Sequence, residues 1–172
     1  MKLLVRERVF DIGDDFWVTD ENGDRAFWVD GKALRLRTTF ELKDPEGRLL
    51  LTIREKKLAI RDTMRIERGG ETVATVRRHL ISPFRDRLSV DFEDGAEWQV
   101  TGDLLDKEYT IGDDGGPVAA ISRKWFSLRD TYAVDVNTYR TDAGGDPALV
   151  VAVAVAVDAI SEEQKTGKEG EG

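Results

Sequence analysis

One stretch limits what this chain can fold into. From Asp146 to Ile160 it reads Asp-Pro-Ala-Leu-Val-Val-Ala-Val-Ala-Val-Ala-Val-Asp-Ala-Ile, the only long apolar run in a sequence otherwise thick with charge. The alternation of Val and Ala from Val151 to Val157 has the period of a strand, but the second residue of each pair is Ala, so neither face is polar. The flanks favour a helix. Asp146 can accept from free N–H groups, Pro147 suits the first helical position, and Ser161-Glu162-Glu163-Gln164-Lys165 are mostly good helix formers before a stopping Gly167. The run predicts a helix over about 146–165, followed by a disordered polar tail at 166–172. A helix that is apolar all round must be buried all round. Spanning a bilayer takes ~20 apolar residues, so the expected surroundings are protein and no transmembrane segment is expected. Seven large apolar side chains, at roughly 1.5–3 kcal/mol each, would contribute on the order of 10 kcal/mol before entropy is subtracted.

Everything before the run reads as short strands separated by turns. Leu3–Phe10, Phe16–Thr19 and Arg25–Asp30 come first, with Asn22-Gly23 supplying a hairpin turn. Leu34–Leu42 alternates cleanly, with Leu34, Leu36, Thr38, Phe40 and Leu42 on one face. Asp44-Pro45-Glu46-Gly47 turns the chain into Leu49–Glu55. Lys56–Arg61, Thr63–Glu67 and Thr72–Arg78 continue the pattern, and His79–Phe84 reads as a connection because Pro83 cannot donate to a ladder. Asp86–Phe92, Glu97–Thr101, Lys107–Ile111, Pro117–Arg123 and Tyr132–Val136 complete the set. About a dozen antiparallel strands followed by one apolar helix predict a single domain over 1–165. In it a closed, mainly β barrel removes the sheet edges and the helix fills an interior too wide for its own side chains.

Three stretches carry a resemblance to a known family: Phe40 through Lys56, Ala120 through Val136 with its Arg123-Lys124-Trp125-Phe126 segment, and the C-terminal apolar helix. Together they resemble the LURP-one-related family of the tubby-like C-terminal superfamily, which also includes phospholipid scramblases. The resemblance covers nearly the whole chain except the tail. It implies a twelve-stranded barrel around a hydrophobic helix. Some tubby relatives bind phosphoinositide headgroups through basic barrel residues, but that motif does not carry over to any residue here.

Composition narrows function. The 172 residues contain no Cys and one His, which leaves no thiol chemistry and no metal site richer than carboxylates; no cofactor is expected. Early charges rule out a signal peptide, so a cytoplasmic location, possible at a membrane periphery, is the expectation. The net charge of −8 argues against nucleic acid as a partner. Yet ten cations and five acids give residues 53–87 a charge of +5 and leave −13 elsewhere. Arg77 and Arg78 before Pro83, with Arg85 and Arg87 after it, are the candidate site for an anionic group such as a lipid headgroup, since Arg forks suit phosphate and carboxylate. The bland alternative is a solvated face paired with acids. His79 lacks a second His or a nucleophile elbow, and Asp14-Asp15 and Asp113-Asp114 read as turn residues. Trp17, Trp28, Trp98 and Trp125-Phe126 are either contact residues or barrel packing. The expectation is a non-enzymatic binding or scaffold module for an anionic lipid or a protein. The alternatives are an uncharacterised enzyme using His79 or clustered acids, and a scramblase-like protein.

Overall fold

The computed structural model describes residues 1–6, 15–31, 38–56, 63–82, 85–123 and 131–169, with side chains for all of these except 80–86 and 162–169. Twelve strands follow one another: β1 (Lys2–Arg6), β2 (Phe16–Asp20), β3 (Arg25–Gly31), β4 (Thr39–Lys43), β5 (Leu49–Glu55), β6 (Thr63–Arg68), β7 (Glu71–Ser82), β8 (Arg85–Phe92), β9 (Glu97–Asp103), β10 (Glu108–Asp113), β11 (Gly116–Ser122) and β12 (Thr131–Val136). Each pairs antiparallel with its neighbours, and β1 closes onto β12 to make one barrel without edges. A short 3-10 turn, Ala143–Gly145, leads into the helix α1 (Pro147–Glu169).

The helix is the core of the barrel. Every residue from Ala148 to Ser161 is buried. Asp146 caps it as expected, its side chain accepting from the N–H groups of Ala148 at 3.0 Å and Leu149 at 3.4 Å. The Val/Ala alternation now has a geometric meaning. At about 100° per residue it places Val on two opposite faces and Ala on the two between, giving a rod of unequal widths. The helix backbone comes nearest to β5, β6 and β7 on one wall and to β12 on the wall opposite. A rod of two widths suits a lumen that is narrower across one axis. Leu3, Leu42, Ile53, Ile66, Val76, Val90, Ile111 and Val134 point inward from the strands and are wholly buried against it.

Four expectations are corrected. The helix runs through Gly167 to Glu169 instead of ending near 165, since one helical Gly costs only about 1 kcal/mol among good helix formers. β7 continues through His79 to Ser82. Pro83 itself lies outside the described residues. Lys107 is not a strand residue but closes the β9–β10 turn at a φ of 55°. The strands Lys56–Arg61 and Leu34–Arg37, and the segment Trp125-Phe126, lie outside the described residues apart from Lys56, and Thr38 is exposed where an inward side chain was expected.

The two ends of the barrel differ. At one end the hairpin connections, 21–24, 44–48, 69–70, 93–96 and 114–115, are at most five residues long. At the other, toward which the helix runs, the β9–β10 turn 104–107 carries Lys107, and residues 7–14, 32–37, 57–62 and 124–130 lie outside the described ones. The short turns are built on aspartates that accept backbone N–H groups. Asp20 takes Asn22 and Asp24, Asp44 takes Glu46 and Arg48, Asp94 takes Ala96, and Asp113 takes Gly115.

Candidate functional site

Charge is sorted between neighbouring walls. The basic segment 53–87 supplies the end of β5, all of β6 and β7 and the start of β8, with Lys57, Arg61 and Asp62 outside the described residues. The following segment, 88–122, forms the rest of β8 with β9 to β11 and holds nine acids against the single cation Lys107. Outward-facing residues of the basic wall line up in rows across strands. One row runs Thr39, Arg54, Arg65, Thr75, Asp91, and the next runs Thr63, Arg77, Ser89, Gln99.

The four arginines expected to form a site are not all on one face. Arg77 lies outward with its Nε 2.8 Å from Asp91, and Arg87 lies outward beside Glu97 at 3.5 Å and donates to Gln99. Arg78 is opposite Leu88 in register and shares the inward alternation of Ala74 and Val76, half-buried. Arg85 begins β8, and its side chain lies outside the described ones. Arg54 and Arg65, which the sequence did not single out, are directly paired across β5 and β6.

His79 is bonded to Ser89 at 2.7 Å, a pairing that invites comparison with a nucleophile and its base. The direction of the chain argues otherwise. Ser89 Oγ donates to Asp91 Oδ1 at 3.2 Å, so it can only accept from a protonated Nε2. That imidazole nitrogen is not placed to take the serine proton, and Ser89 is 1% exposed. Trp98 packs edge-on to Phe92 inside the barrel. Trp17 and Trp28 stack on the outer wall at 5.8 Å, with Arg25 over one ring and Lys43 over the other. Asp113 is held by Arg140, whose five N–H donors go to Asp113, Asp142 and the Gly116 carbonyl. These two carboxylates raise the Arg140 pKa further, Asp142 first. Among the described residues no cluster of acids or His has the make-up of a metal site.

The most deeply buried charges sit inside. Lys107 reaches from its turn into the barrel and places Nζ 2.7 Å from Asp158 Oδ1, while the Tyr132 hydroxyl donates to Oδ2 at 2.6 Å. The left-handed backbone of Lys107, uncommon outside Gly and Asn, aims this side chain inward. The Tyr109 hydroxyl is buried with no partner among the described residues, and its pKa is pushed well above 10 by burial first and then by Asp158. The sequence reading missed Asp158, yet an acid inside an apolar run was the signal available.

A profile of the LURP-one-related family matches residues 1–158. This chain belongs to the LURP-one-related family. Two curated relatives span it almost end to end. The uncharacterized protein YxjI of Bacillus subtilis is 24% identical over 93% of both chains, and the protein LURP-one-related 15 of Arabidopsis thaliana is 25% identical over 94% of this chain and 80% of its own. An X-ray structure of an Arabidopsis thaliana protein superposes with a TM-score of 0.66 at 21% identity, covering 93% of this chain and 91% of that one. The fold of this LURP-one-related protein, a closed twelve-stranded antiparallel barrel with one C-terminal helix, is thus shared with a solved plant protein. No helix among the described residues is long and apolar enough to cross a membrane.

Proposed function

We propose that this LURP-one-related protein is a non-catalytic binding module that recognises anionic headgroups at a membrane surface through the outer side of β5 to β8, with Arg77 and Arg87 among its contacts. Arg85 begins β8 at the same end of these strands and belongs to the proposed site, whereas Arg78, on the inward alternation of β7, is not part of the outer face. A cytoplasmic, peripheral placement and a kinship with tubby-like and scramblase proteins go with this reading.

The observation that carries it is the sorting of charge. A chain of net charge −8 would repel an anionic surface if its charges were mixed. Instead, the described residues of 53–87 carry eight cations against four acids on adjoining strands, while 88–122 on the strands that follow carry nine acids against Lys107. Such an arrangement orients a protein toward a negative surface at a range of about a Debye length, ~8–10 Å at physiological salt. Basic residues near an anionic leaflet each contribute about 1 kcal/mol. Turn chemistry accounts for many of the acids, but nothing in the turns calls for arginines on the basic wall.

The test is co-sedimentation with phosphatidylcholine vesicles with and without phosphatidylserine, at low and high salt. Binding is expected only with the anionic lipid, weakening as salt rises, and Arg77→Glu with Arg87→Glu is expected to abolish it. Equal sedimentation of the double variant would remove the assignment.

A further inference from the structure

We propose that Arg54 and Arg65 form a two-guanidinium fork for a dianionic phosphate group, a phosphomonoester in preference to a phosphodiester. The proposal rests on the anion-binding reading above and names the chemistry that the basic wall selects.

The two residues are Cα partners across β5 and β6 and share the outward face. Like charges directly opposite one another destabilise an antiparallel pair. This chain has carboxylates to spare, with 34 acids against 26 cations. It uses them on other cations of the barrel, with Lys43 on Asp30 at 2.7 Å, Arg68 on Asp146 at 2.7 Å, and Arg77 on Asp91 at 2.8 Å. Arg65 has no carboxylate partner among the described residues, and Arg54 has only Glu67 at 3.8 Å. Two opposed arginines with one distant carboxylate between them among the described residues, amid so many acids, constitute a site that an external anion would complete.

The anion's class follows from the geometry. Side chains of a directly opposed pair start about 4.5–5.5 Å apart at Cβ, close enough for both guanidiniums to reach one phosphorus centre. Each guanidinium offers a planar fork that matches two phosphate oxygens. A monoester carries about −1.5 to −2 charges at neutral pH and three terminal oxygens, so both forks can engage it by sharing one oxygen. A diester has one charge and two free oxygens, so one arginine would keep its unbalanced charge.

Titration calorimetry of the full chain with inorganic phosphate tests the fork. Arg65→Gln or Arg54→Gln is expected to weaken binding by roughly tenfold to a hundredfold, the range for a hydrogen bond to a charged group. Without phosphate, Arg65→Gln is expected to melt no lower than the wild type, because it relieves the opposition. Vesicles carrying phosphatidic acid or phosphatidylserine at equal surface charge separate the sources. A lipid source gives tighter binding to phosphatidic acid, lost in Arg65→Gln, whereas a free source gives phosphate binding with no preference between the vesicles. Phosphate affinity unchanged by Arg65→Gln, or absent in the wild type, overturns the fork. If Arg77→Glu with Arg87→Glu still abolishes sedimentation, the broader membrane reading survives that loss. If no vesicle binds but phosphate binds through Arg65, the membrane reading falls and the fork stands.

Discussion

The helix is held by charge where it enters the barrel and again midway along its length, at Asp158, in surroundings of opposite polarity. Where it enters the barrel, Arg68 reaches Asp146 and Arg140 ties the β10–β11 turn to the loop before the helix, with much of this in contact with water. Midway along it, Lys107, Asp158 and Tyr132 meet in the interior, the ion pair 1% and 4% exposed. The contacts are of similar length, 2.7 Å for Arg68, Arg140 and Lys107 alike. Their energetic weight is not similar. Water screens the first set and would solvate either partner if the other were removed. Inside the barrel, a partner left behind is a charge without solvent.

The largest expected effect follows from that contrast. Asp158→Ala or Lys107→Ala should each cost about 3–5 kcal/mol in urea unfolding, while Lys107→Met with Asp158→Leu and Tyr132→Phe should recover most of it, because both charges and the hydroxyl that donates to Asp158 are removed together. Single variants as stable as the wild type would mean that water reaches the pair. At the entry end the sharper lever is steric. A Cβ on Gly145 would stand 2.2 Å from the Arg140 carbonyl oxygen, so Gly145→Ala should cost about 1–3 kcal/mol by displacing that loop.

Tyr109→Phe should gain about 1 kcal/mol by removing a buried hydroxyl without a partner among the described residues. It should also remove an alkaline weakness. The raised Tyr109 pKa means that the folded state holds its proton longer than the unfolded state, so stability is full below about pH 10 and falls above it. Thermal melts across that range should be flatter for the Phe variant. Arg68→Ala is the smallest, under about 1 kcal/mol and shrinking with salt. The acid limb belongs to the same end. The hydrogen bond from Arg140 lowers the Asp142 pKa, so its contribution is present above about pH 4 and is lost as pH falls through the lower folded value. A wild-type acid transition unchanged by Asp142→Asn would remove Asp142 from that limb.

The barrel was legible because its signals are local and repeated. Alternation marked Phe40 and Leu42, Asn22-Gly23 and Asp44 marked their turns, and the apolar run marked the plug. Closure of β1 onto β12 was inferred from the need to remove edges, and the register confirms it. The site was less legible. A count of charges found the basic wall, but pairing decides which arginines have partners, and pairing is a property of register. Arg54 and Arg65 are eleven positions apart in sequence and adjacent only once β5 and β6 are aligned. Asp158 was passed over because a single acid does not disturb the hydropathy of its run, although Lys107, in a turn fifty-one residues earlier, depends on it.

The helix follows all twelve strands in the chain, and this order governs biosynthesis. The ribosome delivers residues one by one, at about 5–20 per second, and early segments ordinarily pack as they emerge. Here β1 gains β2 early, but its inward side chains lack their other neighbours until β12 and α1 have been made. Nascent chains are expected to wait with an unfilled lumen, dependent on holding chaperones, and to fold in one late event. A stop codon or cleavage before Pro147 would leave a sleeve with nothing to close upon.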